Sequence, residues 1–410
     1  MTWHRQPLRD RSTWLGALIM FVIGTAAGAA IFSRLALEGT NSDLPKHIQL
    51  VIDSRTEHTQ LGYSIYYTLL EVLSAGGDAN ALQGAAIAVL ASAYGLRLAA
   101  TWFVFSLTGV GTAVRIVGTL ATSIAAPITV ATCEYLYLGK LTPVVWHNST
   151  TILAVPFALL LFVSTCWMMM RGGRTWGPQV VQVTLVVLSA WTKPNYLLAL
   201  MPVLALWFLM AVVATPASRR LTVFKDLWWR IAPSGIAAAL VLAVQFVLTY
   251  GGPGLQIDGQ RVTNIVAPFA LWKEWSAQFG VGPLWSVCVS ILTPLVLTVL
   301  VWRVKRYRLP LTLAWASVLV GLATFTVLAE SLEDGTILFH GNWIWGAQIS
   351  MAVLFVVSVA AFSREFRSIG WLKWVGVALV VYQVAMGAVW LQMLYSGQSL
   401  TFGMPFGCQV

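Results

Sequence analysis

Charged side chains are scarce in this chain. Asp, Glu, Lys and Arg make up 10% of its 410 residues, where a soluble domain carries about 25%. That shortage excludes an ordinary soluble globular domain. Cysteine is rare as well, with Cys133, Cys166, Cys288 and Cys408 the full set. None of them has metal-ligand spacing, so no metal site is assigned. Cys166 and Cys288 sit in apolar runs as small hydrophobes. Cys133 and Cys408 fall on the expected outer side, where an oxidising compartment would allow a disulfide. There is no G-x-x-x-x-G-K-S/T loop, and no G-x-G-x-x-G turn between a strand and a helix. A nucleotide-binding domain is excluded on that ground and because the inner loops are short. A net charge of +10 raises the question of nucleic acid. The basic residues are scattered in small clusters between apolar runs, which excludes a nucleic-acid face.

What is abundant is apolar sequence. Hydrophobic residues make up 58% of the chain, and Trp alone occurs 20 times. Repeated apolar runs of about 18 residues or more specify membrane-crossing helices. The expected fold is all-α: a polytopic transmembrane helical bundle forming one integral membrane domain over 1–410. Eleven spans are read at 13–35, 82–106, 112–132, 151–170, 178–192, 195–214, 231–250, 283–302, 310–329, 343–363 and 371–394. The first run follows Arg5, Arg9 and Arg11 in the manner of a secretion leader. Its length favours an uncleaved span. Pro194 breaks the sequence Trp191-Thr192-Lys193-Pro194-Asn195, giving either one broken helix or a tight hairpin.

Lys and Arg set the orientation. Arg171, Arg174, Arg219, Arg220, Lys225, Arg230, Arg303, Lys305, Arg306, Arg308, Arg364, Arg367 and Lys373 fall on the N-terminal side of the membrane. The positive-inside rule therefore puts the N-terminus inside and the C-terminus outside. Acids and histidines go the other way. Asp43, Glu71, Glu330, Glu333, Asp334, His47, His147 and His340 are all expected outside or near that face. The outer loops are 36–81, 251–282 and 330–343. Arg97 lies within the second span near its inner end, where it either snorkels towards the interface or pairs within the bundle, and its position favours snorkelling.

The first outer loop opens with Ser42-Asp43-Leu44-Pro45-Lys46-His47-Ile48. Asp43 and His47 are four apart and share one side of a helix. Leu44, Ile48, Val51 and Ile52 form its apolar face. A second helix, about 61–73, carries Tyr63, Tyr66, Tyr67, Leu70 and Leu73 and ends at Gly76-Gly77. Both helices suit the interfacial plane, with hydroxyls in the headgroup layer. Asp43 can cap its own helix, a task Ser42 can share. It can also act as a general base that takes a proton from an attacking hydroxyl.

A first span, a long outer loop with an acidic residue at its start, and two interfacial helices together resemble the GT-C superfamily of membrane glycosyltransferases. Asp43-x-x-x-His47 is similar to the Asp-x-x-x-His stretch in several bacterial members. The chain departs from the family in lacking an adjacent acidic pair and a C-terminal soluble domain. The resemblance implies a GT-C-like core over 1–214 and variable spans over 215–410. It implies transfer of a sugar from a polyprenyl-phosphate donor to a cell-envelope or lipid-linked glycan acceptor. The reaction would occur on the outer face of a bacterial cytoplasmic membrane, with Asp43 as the catalytic acid residue and any metal requirement open. A phosphate leaving group needs cations, which points to Lys193 beside the helix break, and to Lys46 and Arg261. His47, His147, Asn195, Glu330, His340 and Asn342 are the remaining candidate substrate contacts, because saccharide sites combine hydrogen bonds with aromatic faces. For 330–345 the competing reading is an ordinary polar turn in a Trp belt. Asn148 or Ser149 capping the fourth span competes for His147. The alternative functions are a polysaccharide polymerase, a transporter or flippase of lipid-linked glycans, and a non-catalytic membrane subunit.

Overall fold

Runs of Leu, Val, Ala and Ile close their backbone hydrogen bonds within a helix, which is what a lipid environment demands. The computed structural model follows that logic throughout. It describes residues 10–38, 42–56, 61, 64–129, 138–171, 175–250, 256–257, 260–280, 282–338 and 341–396. The helices are α1 (Arg11–Glu38), α2 (Leu44–Thr56), α3 (Ile65–Ser74), α4 (Ala79–Thr108), α5 (Thr112–Ile124), α6 (Ser149–Arg171), α7 (Trp176–Thr192), α8 (Asn195–Val213) and α9 (Ala217–Tyr250). They continue with α10 (Ala270–Phe279), α11 (Pro283–Val301), α12 (Lys305–Val327), α13 (Trp345–Glu365) and α14 (Lys373–Tyr395). Among the described residues nine helices are long and apolar enough to cross a membrane: α1, α4, α6, α8, α9, α11, α12, α13 and α14. The chain is an all-α, multi-pass membrane protein by this criterion.

Helix α13 is the axis of the bundle, and its apolar window is wholly enclosed by other helices. Its small residues, Gly346, Ala347, Ser350, Ala352, Ser358 and Ala360, let neighbouring backbones approach closely. On the facing helix α12, a Cβ at Gly321 would sit 2.4 Å from the Ala347 nitrogen.

Two expected spans are shorter helices than the other nine. Helix α7 has 17 residues. It forms a hairpin with α8, which settles the open choice at Pro194. Gln179 near its start donates to Trp229 O, and Gln245 of α9 donates to Ala190 O near its end. In the described part of the expected span at 112–132, which ends at 129, the helix covers Thr112–Ile124. Pro127 cannot donate a backbone hydrogen bond and disfavours helix at Ala126. The chain therefore runs extended from 125 to 129 inside the bundle.

That extended stretch and the 138–148 segment satisfy their polar groups with side chains and backbone of other helices. Ala126 N donates to Gln383 O at 2.9 Å, and the Tyr382 hydroxyl donates to Thr129 O. Ser290 Oγ accepts from Leu141 N at 2.8 Å, and Gln348 Nε2 donates to Thr142 O at 3.2 Å. Lys140, which is buried, donates to Ile128 O and Thr129 Oγ1. Arg97 does not snorkel. It is 5% exposed and donates to Thr122 O at 3.3 Å and Pro143 O at 2.9 Å. Freed carbonyls inside the bundle hold its guanidinium there, because lipid offers them no donor.

The expected loop at 251–282 contains strands and a helix. β1 (Gln256–Ile257) pairs with β2 (Gln260–Arg261), and β3 (Thr263–Val266) pairs antiparallel with β4 (Leu328–Ser331). Asn264 lies opposite Glu330 in the second pair. Helix α10 buries Leu271, Trp272 and Trp275, the two tryptophans against Phe325. Helices α2 and α3 cover the same end of the bundle. Arg55 joins them, donating to Glu71 at 2.7 Å and to Gly77 O at 2.6 Å. Tyr66 and Tyr67 correct the interfacial picture, because both are buried against protein and do not lie in a headgroup layer. The opposite end carries the arginine ties. Arg364 donates to Gly109 O at 2.8 Å, Arg306 pairs with Glu365, and Arg230 pairs with Asp226.

Candidate functional site

The site forms where α2, α6, the α7–α8 turn and α13 all begin or end. Ser42 caps α2 itself, its Oγ accepting from Leu44 N at 3.1 Å. That leaves the Asp43 carboxylate to reach across to the start of α6. Asp43 Oδ1 accepts from Ser149 N at 3.0 Å and from Ser149 Oγ at 2.9 Å. Oδ2 accepts from Asn148 Nδ2 at 2.9 Å and from His47 Nε2 at 3.0 Å. The helix N-terminus supplies oriented N–H groups and positive potential, so an anion belongs there. The backbone reinforces the junction, with Asp43 N donating to His147 O at 2.9 Å.

His47 extends the chain of bonds. Its Nδ1 lies 2.6 Å from the Tyr67 hydroxyl. With Nε2 donating to Asp43, Nδ1 accepts from Tyr67 in the neutral ring. The side chains of Asp43 and His47 are 24% and 14% exposed, so the pair is partly open.

Asn148 links this carboxylate to an ammonium. Its Oδ1 accepts from Thr151 N at 3.0 Å, which makes it the cap of α6. The same oxygen accepts from Lys193 Nζ at 2.8 Å, and Thr150 Oγ1 accepts from Lys193 at 3.0 Å. Lys193 Nζ also sits 4.1 Å from the centre of the Trp345 ring, a cation–π contact. His147 lies 6.0 Å from Trp345, ring centre to ring centre. Asp43 and Lys193 thus share one asparagine as their bridge.

The electrostatics follow from burial and charge. Desolvation alone would raise the Asp43 carboxyl. The electrostatic pull and hydrogen bond of His47, with the Ser149 amide, outweigh it and hold Asp43 below its ordinary 3.8. Burial pulls Lys193 down to about 7, opposed by the Asp43 charge. It pulls His147 down to about 4, so that ring is neutral at pH 7. Tyr66 is pushed up by burial. The cluster holds an ionised acid beside an amine that changes charge near neutrality, an arrangement common at functional sites.

Of the residues expected from sequence, Asp43, His47, His147 and Lys193 come together. Asn195 and Asn342 form a neighbouring chain of bonds with Glu330. Asn195 Nδ2 donates to Asn342 O at 2.9 Å, and Asn342 Nδ2 donates to Glu330 Oε2 at 2.7 Å. Glu330 is buried, which raises its carboxyl. Lys46 is exposed on α2 and Arg261 is exposed on β2; neither hydrogen-bonds to the Asp43 carboxylate. His340, Cys133 and Cys408 lie outside the described residues. Sequence reasoning treated Asn148 and Ser149 only as caps, and it missed Tyr67 and Trp345 as neighbours of the acid and the amine. The polar run Asn148-Ser149-Thr150-Thr151 at the head of an apolar helix was the available signal. Among the described residues no three of His, Cys, Asp and Glu gather as metal ligands. A scan against protein-family models and a search of curated proteins find nothing that matches this chain.

Proposed function

We propose that this chain is a membrane glycosyltransferase that uses a polyprenyl-phosphate sugar donor. The observation that carries the proposal is the Asp43–Asn148–Lys193 cluster immediately after the first span. An ionised carboxylate and an amine whose pKa burial lowers share Asn148 as their bridge at the acid-bearing end of the bundle. In this reading the Lys193 ammonium faces the donor phosphate. An acceptor hydroxyl attacks the anomeric carbon, so a carbon–oxygen bond forms while the bond to the phosphate oxygen breaks. Asp43 takes the hydroxyl proton, and polyprenyl phosphate departs with its charge held by Lys193.

The basic end of the bundle faces the cytoplasm in this proposal, following the positive-inside rule. The Asp43 end then faces outward in a bacterial cytoplasmic membrane, where the acceptor is a cell-envelope or lipid-linked glycan. Membership of the GT-C superfamily is part of the same proposal. A transporter would place ionisable groups on a path through the bundle. Arg97 and Lys140 are deeply buried cations among the described residues, and both are tied to backbone carbonyls, Arg97 to Thr122 O and Pro143 O and Lys140 to Ile128 O.

The test uses the purified chain in liposomes with polyprenyl-phosphate sugars, and reads release of polyprenyl phosphate. Asp43→Asn should lower the rate by about a hundredfold or more, the range for loss of a general base. Membrane-inserted yield, measured in parallel, should hold. Wild-type turnover by Asp43→Asn rejects the base assignment.

A further inference from the structure

At the basic end of the molecule, far from the Asp43 cluster, an aromatic groove of about 520 Å³ opens between α7 and α9. Its lining is Trp176, Phe224, Lys225, Trp228 and Trp229. The volume lies within the about 300–1,000 Å³ of small-molecule sites. The walls are fixed by ring contacts. Trp176 meets Trp229 edge-on at 4.9 Å, and Phe224 stacks on Trp228 at 5.8 Å. Gln179 Nε2 donates to Trp229 O at 2.5 Å and locks the two helices together beneath the groove.

The charges around it are unevenly matched. The α9 segment 217–230 carries Arg219, Arg220, Lys225 and Arg230 against a single acid, Asp226. Asp226 is taken by Arg230, whose guanidinium also donates to Met168 O and Met169 O. Lys225 is exposed at the groove and has no ionic partner among the described residues. Trp176 and Trp228 are 69% and 53% exposed, so large apolar faces lie open beside that cation.

We propose that this groove binds one anionic phospholipid, with its acyl chain along the rings and its phosphate at Lys225. The chemistry selects the occupant. Four aromatic walls at the end of membrane-crossing helices suit a hydrocarbon chain, and tryptophan favours that boundary. An unpaired lysine at the rim suits a headgroup with net negative charge, which a zwitterionic lipid lacks. A small soluble anion would leave the aromatic faces in water.

The experiment places the full-length chain in nanodiscs of phosphatidylglycerol and phosphatidylcholine, each with the same photoactivatable acyl chain in turn. Labelled peptides are mapped by mass spectrometry. The phosphatidylglycerol probe should label peptides spanning Phe224 to Trp229 about fivefold more than the phosphatidylcholine probe, the preference of one basic residue near an anionic surface. Lys225→Glu should abolish that preference, and Trp228→Ala should lower labelling by both probes. Thermal unfolding in the same nanodiscs checks folding, with Lys225→Gln as the milder substitute if the glutamate variant unfolds. Equal labelling by the two lipids overturns the proposal, since ordinary boundary lipid then covers the groove. A preference that survives Lys225→Glu, or a cross-link to a protein in place of lipid, overturns it too.

Discussion

Replacing Lys193 with methionine should stabilise this protein in mild acid and cease to do so in base. Burial lowers the Lys193 amine from 10.5 to about 7. Each pH unit of that depression corresponds to about 1.4 kcal/mol. The drop is therefore roughly 5 kcal/mol against the charged form, which partial exposure of the side chain screens to about 2–4 kcal/mol. The sign follows from linkage. Between about pH 7 and 10.5 the unfolded chain binds more protons at this position than the folded one, so wild-type stability rises with pH across that window. Below it the folded protein bears the whole penalty. Methionine is close in shape and carries no charge, so it removes the penalty where it is greatest. It also removes the bonds to Asn148 and Thr150, a loss of about 1–2 kcal/mol at any pH. Asn148 Oδ1 keeps Thr151 as a donor, so no acceptor is orphaned. The net gain is about 1–2 kcal/mol near pH 6, and it reverses to a small loss near pH 10. Thermal unfolding of both proteins in one nanodisc preparation, scanned across that range, measures the difference. A variant destabilised equally at both ends would refute the reasoning and make Lys193 a structural strut.

Two further outcomes follow from the packing. Gly387→Ala should destabilise the bundle by about 1–3 kcal/mol or more, because its Cβ would lie 1.6 Å from Ile124 O. The monodisperse fraction after mild heating reads this, and an unaffected variant would show that α14 does not lie against the end of α5. Arg97→Met removes the donor to Thr122 O and Pro143 O and should cost about 2–5 kcal/mol. Folded yield comparable to wild type would mean those carbonyls find other donors.

The helical class was legible because apolar run length is a direct consequence of membrane thickness. Lys193 was legible as well, since Lys-Pro-Asn after an apolar run marks a helix break. Asp43 could be singled out, but its partner could not. Its hydrogen bonds to Asn148 and Ser149 join positions more than 100 residues apart, and no local period encodes that pairing. The same holds for Tyr67. Its spacing places it on an amphipathic face, and an amphipathic face fits a lipid interface as well as a protein neighbour. Arg97 was misjudged because hydropathy measures distance along a helix and says nothing of which neighbours lack hydrogen bonds. The extended stretch from 125 was hidden for a related reason. Pro127 marks where the helix stops, but the hydrogen-bond partners that make stopping tolerable lie on α11, α13 and α14.

That dependence has a consequence for how the chain is made. Ser290, Gln348, Tyr382 and Gln383 bond to the backbone of Leu141, Thr142, Thr129 and Ala126 respectively. They leave the ribosome about 150 to 260 residues after those partners do. A nascent chain ending before α14 would hold an open backbone segment with half its partners unsynthesised. The insertion machinery must therefore shelter this segment from lipid until α14 has been made.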